Sequence, residues 1–301
     1  MKKENSKKYV RTDLATECTL SCENPSDDYD FNETDRGGFQ VSTLVIKNEN
    51  GARITGKSCG KYVSINCGKI WLEDDNTLSS LCTLLSECIS QMTEELVRQK
   101  EKTELCILVA GLGNAYITPD ALGPKAVKGI LVTRHIKALA PDIYTSISHC
   151  DVAAISPGVL GQTGIETLEI IRGAVNYVKP SLLIVIDALA AKSTDRLATT
   201  IQLNDNGISP GSGIGNKRAE ISYKTVGVPV LVIGVPTVVD SSTLVYSALE
   251  NAGISEINPK LKEVLENGKS FFVSLKESDT IIEEIANVIS KSINLAFGLP
   301  G

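Results

Sequence analysis

The sequence of 301 residues lacks the residue patterns that would assign a metal site or a nucleotide site. It contains only 2 histidines, and its 8 cysteines include no Cys-x-x-Cys pair, so no zinc or nickel ligand pattern can be recognised. Gly111-Leu-Gly113 lacks the third glycine of a dinucleotide-binding loop, and residues 211–217 lack the Gly-Lys-Ser/Thr end of a P-loop. We therefore expect neither a metal ion nor a cofactor.

A long apolar run and an excess of positive charge are also missing. The lysine-rich start of the chain is not followed by the apolar stretch of a signal peptide, and no apolar run reaches the length of a membrane span. The formal net charge of −6 argues against a nucleic-acid-binding surface. These absences favour a cytoplasmic protein without a membrane partner and without direct nucleic-acid binding.

From residue 104 onward, short apolar runs alternate with segments of helical periodicity. The predicted strands are residues 105–110, 143–147, 153–155, 182–186 and 230–235, and the predicted helices are residues 121–139, 164–178, 240–252 and 280–297. Uninterrupted apolar runs are typical of strands that are buried on both faces of a parallel sheet. The alternation therefore predicts a doubly wound, mostly parallel α/β sheet.

The first hundred residues follow a different pattern. Residues 1–36 are polar and are expected to form a tail or surface wrap rather than core. A strand begins at Phe39, and the turn signal over residues 48–51 predicts a hairpin whose second strand is residues 52–57. The remaining predicted elements are a strand over residues 61–70 and an amphipathic helix over residues 76–100.

These elements predict one α/β domain over residues 14–301. Its N-terminal, β-hairpin-containing part spans residues 14–75, and its core sheet spans residues 104–301. Residues 196–215 are rich in glycine, proline and asparagine, so we expect an irregular lid or binding loop there.

Two aspartates follow apolar strands in similar contexts. Asp120 lies between the run 105–110 and the next predicted helix, and Asp187 directly follows the run 182–186; both precede Ala-Leu. The carboxyl ends of parallel strands meet at one edge of a sheet, where open α/β folds bind ligands. If the two strands are near neighbours, the carboxyl groups face each other. The plainer alternative is two unrelated helix caps, a role open to Asp120 and Thr118.

A close pair of carboxyl groups has a specific chemical use. Both members cannot ionise cheaply, so one holds a proton while the other serves as a base. Such a pair can activate water for amide hydrolysis without a metal. The sequence does not determine which aspartate carries the proton.

Several longer blocks resemble the germination protease family of endospore-forming bacteria. They are Arg11-Thr-Asp-Leu-Ala, Glu33-Thr-Asp-Arg-Gly-Gly, residues 111–124, residues 155–166, Ile186-Asp-Ala-Leu-Ala-Ala191 and Gly234-Val-Pro-Thr-Val-Val-Asp240. The resemblance implies an atypical aspartic endopeptidase with a fold like that of hydrogenase-maturation endopeptidases. Its two catalytic aspartates fall on Asp120 and Asp187. It also implies a homotetramer, made as a zymogen, that degrades small acid-soluble spore proteins in the spore core during germination.

The N-terminal segment Thr12-Asp-Leu-Ala-Thr-Glu17 resembles the site Thr-Glu-Phe/Ile-Ala-Ser-Glu that this family cuts in its substrates. By this resemblance we expect self-cleavage between Asp13 and Leu14, which makes residues 1–13 a propeptide. A polar tail with few apolar anchors detaches easily and can reach a protease site. The alternative is a tail that matches the motif by chance.

Four further charged residues are second-tier candidates, because each lies in or beside one of the family-like blocks. They are Glu33, Asp35, Arg36 and Asp240. Solvated surface charge is the plainer interpretation of any single one.

The sequence is compatible with two other functions. One is a nickel-dependent hydrogenase-maturation-type endopeptidase, although neither His135 nor His149 has an obvious pairing with the aspartates. The other is a non-catalytic α/β domain that binds peptides along residues 196–215.

Overall fold

A nine-stranded sheet forms the centre of the computed structural model, which describes residues 12–18, 26–97, 105–147, 150–211, 218–254, 257–267 and 271–300. The strands are β1 (Tyr29–Arg36), β2 (Phe39–Ile46), β3 (Gly60–Asn66), β4 (Cys106–Gly111), β5 (Asp151–Ile155), β6 (Leu182–Ala191), β7 (Thr200–Asn204), β8 (Val230–Asp240) and β9 (Phe272–Val273). Their order across the sheet is β1-β2-β3-β7-β8-β6-β4-β5, and β9 pairs with β8.

Helices connect these strands within the described ranges. They are α1 (Glu49–Thr55), α2 (Asp75–Leu96), α3 (Leu122–Lys128), α4 (Arg134–Leu139), α5 (Pro141–Ile147), α6 (Leu160–Thr163), α7 (Thr167–Val178), α8 (Tyr223–Val226), α9 (Ser241–Asn251), α10 (Pro259–Asn267) and α11 (Ser278–Ala296). Short 3-10 helices cover Ile70–Leu72, Thr118–Asp120 and Thr194–Arg196. None of the helices in these ranges has both the length and the apolar character needed to cross a membrane.

The strands β8, β6, β4 and β5 pair in parallel, which confirms the predicted α/β class. The apolar run in β6 is buried because helices cover both faces of the sheet. β6 and β8 extend further than their apolar runs indicated, so Asp187 lies within β6 rather than after its end.

Alternate residues of the central strands enter two different cores. Ile107 and Ile184 pack with α2 and α11, whereas Leu108 and Leu183 pack with α7. This follows from the period of two in a strand, which sends successive side chains to opposite faces. Burying each such leucine or isoleucine contributes about 1.5–3 kcal/mol.

The N-terminal part of the sheet is antiparallel, and β1 and β2 form its hairpin. The turn between them consists of Gly37 and Gly38, whose φ angles of 63° and 86° suit glycine. The predicted second strand over residues 52–57 is wrong, because residues 49–55 form α1. The Asn48 side chain caps this helix by accepting hydrogen bonds from two backbone N–H groups, so a turn signal proved to be a helix start.

Two predictions around β5 are also wrong. Residues 143–147 belong to α5, which begins at Pro141, a residue favoured in the first turn of a helix. The single helix predicted over residues 121–139 is divided into α3 and α4.

The irregular loop predicted over residues 196–215 contains a buried central strand, β7, between β3 and β8. That part of the prediction is wrong, and residues 212–217 lie outside the described part of the chain. The expectation of a tail over residues 1–36 also fails in the described ranges. β1 pairs with β2, and Leu14 and Ala15 are fully buried; residues 1–11 and 19–25 are outside the described part.

The contact between α3 and the end of β4 depends on two glycines. A Cβ atom on Gly123 would lie 2.3 Å from the carbonyl oxygen of Leu112, and one on Gly111 would lie 2.1 Å from the carbonyl oxygen of Gly123. The helix can approach the strand this closely only because neither residue carries a side chain.

We predict that Gly123→Ala lowers the free energy of unfolding by about 1–3 kcal/mol, the usual cost of overpacking. Gly173→Ala in α7 is the matched control, since nothing lies within 4 Å of its added Cβ. That change should be neutral or stabilise by up to about 1 kcal/mol, because alanine favours helix. Urea unfolding of both variants checks the prediction, and equal effects would contradict the close contact.

Candidate functional site

Asp120 is held by the turn that follows β4. Gly113 begins this turn with a φ of 112°, and a Cβ atom on it would lie 2.0 Å from the carbonyl oxygen of Asp120. The Asp120 Oδ2 accepts a hydrogen bond from the backbone N–H of Asn114 at 2.8 Å. The carboxyl group therefore closes its own loop, and α3 has no side-chain cap, so the alternative of a helix cap at Asp120 is wrong.

Asp187 comes from the neighbouring strand. β4 and β6 are neighbours and pair in parallel, with Gly111 opposite Ile186. The pairing continues past the end of β4, because the N–H of Leu112 donates to the carbonyl oxygen of Ile186 at 2.8 Å. Asp187 is the next residue, and its Oδ1 accepts from the N–H of Ala188 at 2.9 Å.

Both carboxyl groups line one cavity of about 590 Å³ at this edge of the sheet. Asp13 from the N-terminal segment lines the same cavity, together with apolar residues such as Leu112 and Leu160. Apolar walls with a few convergent polar groups are typical of sites that bind and convert ligands.

The cavity raises the pKa of both predicted aspartates. Burial raises the pKa of Asp187 well above the ordinary 3.8, and the nearby charges of Asp120 and Asp13 raise it further. Burial also raises the pKa of Asp120, an effect opposed by the hydrogen bond from Asn114. Asp187 is the more deeply buried of the pair and faces two other carboxyl groups, so it is the better holder of a proton.

The N-terminal segment, residues 12–18, runs along the end of β6 beside the aspartates. The N–H of Asp13 donates to the carbonyl oxygen of Ala190 at 2.8 Å, and the N–H of Ala190 donates to the Asp13 Oδ2 at 2.9 Å. Leu14 is fully buried in an apolar cluster. That cluster also contains Leu189, Ala191, Leu197 and Val239. The bond between Asp13 and Leu14 thus belongs to a segment that is docked against the sheet.

Gln202 lies in β7, which is separated from β6 by β8, and also contacts this segment. Its Oε1 accepts a hydrogen bond from the N–H of Ala15 at 2.6 Å, and its Nε2 donates to the carbonyl oxygen of Asp13 at 3.3 Å. The residue is only 2% exposed. One side-chain amide therefore binds the backbone on both sides of Leu14.

Glu17 fixes the far end of the segment. Its carboxylate accepts hydrogen bonds from the backbone N–H groups of Lys192 at 2.7 Å and Ser193 at 2.8 Å. The Thr12 hydroxyl also donates to Glu17, and the Lys57 ammonium donates to the carbonyl oxygen of Thr12 at 2.9 Å. Charge-assisted hydrogen bonds of this kind are about twice as strong as neutral ones.

The second-tier residues lie away from the lining of this cavity. Glu33 accepts from the Ser42 hydroxyl, and Asp35 accepts from the N–H of Gly38 in the hairpin turn. Arg36 forms an ion pair with Glu87 at 2.7 Å.

Asp240 ends β8 and caps the N-terminus of α9. In the described ranges, no cluster of three or more histidine, cysteine, aspartate or glutamate side chains is arranged to hold a metal ion.

Sequence reasoning missed Gln202, Lys192 and Ser193 as contacts of the segment. Gln202 was assigned to an irregular loop, although the alternation of Thr200-Ile-Gln-Leu-Asn204 is compatible with a strand. Lys192 and Ser193 act through backbone N–H groups, which leave no signal in the residue types.

Comparison with protein families gives a match to the germination protease family over residues 11–252. A germination protease of Caldanaerobacter subterraneus is 40% identical, covering 95% of this chain and 94% of that protein. Its counterpart in Clostridium acetobutylicum is 37% identical over the same shares. The Bacillus subtilis germination protease is 42% identical over 80% of this chain and 66% of its own length.

Among solved structures, a NiFe hydrogenase maturation protease from Thermococcus kodakarensis is similar over 67% of this chain and 99% of its own. The sequence identity is 16% and the TM-score is 0.36.

We predict that Asp187→Asn raises the thermal stability of the protein at pH 7. A raised native pKa means that the folded protein holds this proton more tightly than the unfolded chain. That stabilisation is complete below the ordinary pKa of 3.8 and is lost as the pH rises through the raised value. The neutral amide keeps it at pH 7, so the gain over the wild type should shrink as the pH falls toward 4 or below.

Asp240→Asn is the matched control for this measurement. Asp240 is buried to a similar degree as Asp187, but its carboxylate accepts hydrogen bonds from two backbone N–H groups at the start of α9. Negative charge is favourable at that position, so removing it should not stabilise the protein at pH 7. Thermal unfolding of both variants between pH 4 and 7 separates the two cases, and a similar gain in both would contradict the origin given for the Asp187 effect.

Proposed function

The chain belongs to the germination protease family, and we propose that it is an aspartic endopeptidase whose catalytic pair is Asp120 and Asp187. The observation that carries this proposal is a peptide segment docked beside two carboxyl groups with raised pKa values, of which Asp187 is buried and Asp120 is half-buried. The substrates proposed are small acid-soluble spore proteins, cut in the spore core during germination by a homotetramer. Those last features rest on the family resemblance.

The pair divides the work of hydrolysis between an ionised and a protonated carboxyl group. Asp120 takes a proton from a water molecule, whose oxygen adds to the carbonyl carbon of the peptide bond, while Asp187 gives its proton to the carbonyl oxygen. In the second step the carbon–nitrogen bond breaks and the leaving nitrogen receives the proton held by Asp120. A hydroxyl of the intermediate returns a proton to Asp187, so one water is consumed and the pair is restored.

The N-terminal segment is proposed as the first substrate, which makes the intact chain a zymogen. Cleavage between Asp13 and Leu14 releases residues 1–13 as a propeptide. The contacts of the segment support this assignment, because Leu14 fills an apolar pocket and Glu17 is bound by two backbone N–H groups. While it is docked, the segment excludes other peptides from the same contacts.

Mildly acidic pH should favour this cut. Asp13, Asp120 and Asp187 line one cavity, and their mutual repulsion decreases as carboxyl groups become protonated. The rate should decrease again at lower pH, once Asp120 is protonated and no longer serves as a base. The expected profile of rate against pH is therefore bell-shaped.

We predict that the purified full chain, held at mildly acidic pH with EDTA, acquires a new N-terminus at Leu14. Asp120→Asn and Asp187→Asn should each slow this reaction by at least about a thousandfold, since removing a catalytic group of this type costs several orders of magnitude. Intact-mass spectrometry over time gives the rates. Glu33→Gln is a control, because Glu33 lies outside the cavity lining and should process at the wild-type rate.

The same experiment separates the alternatives. Processing that needs added nickel and stops in EDTA would move the chain to the metal-dependent class. A wild-type chain that stays intact, and that cuts no spore protein when one is added, would favour the non-catalytic peptide-binding domain. Normal processing in either aspartate variant would contradict the proposed pair.

A further inference from the structure

We propose that the side-chain amide of Gln202 is a catalytic hydrogen-bond donor that stabilises the partial negative charge on the carbonyl oxygen of the bond being cut, until the proton of Asp187 has been transferred to that oxygen. The inference rests on the proposed function, in particular on cleavage between Asp13 and Leu14. Its Nε2 already donates to the carbonyl oxygen of Asp13, the oxygen that belongs to that bond.

The orientation of the amide is determined by its other contact. The Oε1 accepts from the N–H of Ala15 at 2.6 Å, and an N–H group can only face an acceptor. The NH2 group of Gln202 must therefore point to the other neighbour, the carbonyl oxygen of Asp13. In a flipped amide, the NH2 group would face the N–H of Ala15 and Oε1 would face the carbonyl oxygen of Asp13, so neither hydrogen bond could form.

The position of Gln202 keeps this donor rigid. β7 is an interior strand, and Gln202 pairs with Ser64 on β3 and with Gly234 on β8. The residue is 2% exposed, and in the described ranges both hydrogen bonds of its side chain go to residues 13 and 15. A buried amide without partners is costly, so this glutamine depends on a bound peptide backbone.

The distance of 3.3 Å is long for a neutral hydrogen bond. A contact of this kind strengthens when the oxygen gains negative charge, so it favours the transition state over the ground state. Asparagine and glutamine side chains can serve as oxyanion donors, and loss of one asparagine donor in another protease costs about 10²–10³ in rate. The side chain of Gln202 forms hydrogen bonds only with backbone atoms of the segment, so any peptide that occupies the site can form the same bonds.

The alternative is that Gln202 only anchors Ala15 through its acceptor. Two substitutions distinguish the roles. Gln202→Met has a similar volume and removes both the donor and the acceptor. Gln202→Glu keeps an acceptor for the N–H of Ala15, but its ionised form has no hydrogen to donate to the Asp13 carbonyl.

The test is the first-order rate of self-cleavage of the full chain, measured by intact mass. Gln202→Met should be about 10²–10³ slower than the wild type. Gln202→Glu should show a similar loss near neutral pH and a smaller loss as the pH falls, because the protonated carboxyl can donate again. The loss in Gln202→Met should not change in this way. Both variants retain the charged side chains that line the neighbouring cavity, which are Asp13, Asp120, Asp187 and Arg218, so only the titration of residue 202 differs between them.

Asn204→Leu is the matched control, because Asn204 is buried two residues further along the same face of β7. It should process within about threefold of the wild type, and thermal unfolding checks that every variant is folded. The proposal is overturned if Gln202→Met processes at the wild-type rate, or if Gln202→Glu matches the wild type at every pH. A wild-type chain that never processes overturns the proposed function itself, which is a distinguishable result.

Discussion

The parallel pairing of β4 with β6 is the constraint on which the site depends. It places the turn after β4 beside Asp187 by continuing the backbone hydrogen bonds from Leu112 to Ile186. The two glycines at the contact with α3 allow that turn to carry Asp120 back toward the sheet. Two acidic side chains thereby share a cavity from which water is partly excluded. Desolvation of these carboxyl groups costs free energy, which the burial of apolar strand residues elsewhere in the sheet must offset.

The N-terminal segment brings a carboxyl group into a cavity that is already acidic, although its other contacts with the protein are favourable. Asp13 adds a third carboxyl group to the cavity and raises the pKa of Asp187. Against that repulsion stand the buried Leu14, the bonds of Gln202 and the charge-assisted bonds of Glu17. These contacts hold the segment in place although Asp13 adds a like charge to the cavity.

The sequence predicted the central strands 105–110, 182–186 and 230–235, because uninterrupted apolar runs are typical of buried strands. It placed Asp120 and Asp187 together only on the condition that their strands are neighbours, and β4 and β6 meet that condition. The sequence-based predictions were wrong where one local pattern is compatible with two different structures. The asparagine of a supposed turn caps α1, and the apolar residues 143–147 lie on a helix that begins at Pro141. β7 was missed because its polar Gln202 and Asn204 are buried only through tertiary contacts, and such contacts cannot be derived from local pattern.

Cleavage at the proposed bond would change the balance of charge in a way that drives release of the propeptide. The cut converts the carbonyl of Asp13 into a second carboxylate on that residue, in a cavity that already contains Asp120 and Asp187. Leu14 gains an ammonium group at the same time, and this cation is attracted to the pair. Repulsion on one side of the cut and attraction on the other would expel residues 1–13 while Leu14 stays docked in its apolar pocket. Clearing of the site for another peptide would then require Leu14 itself to move, so bond cleavage and opening of the site are separate steps.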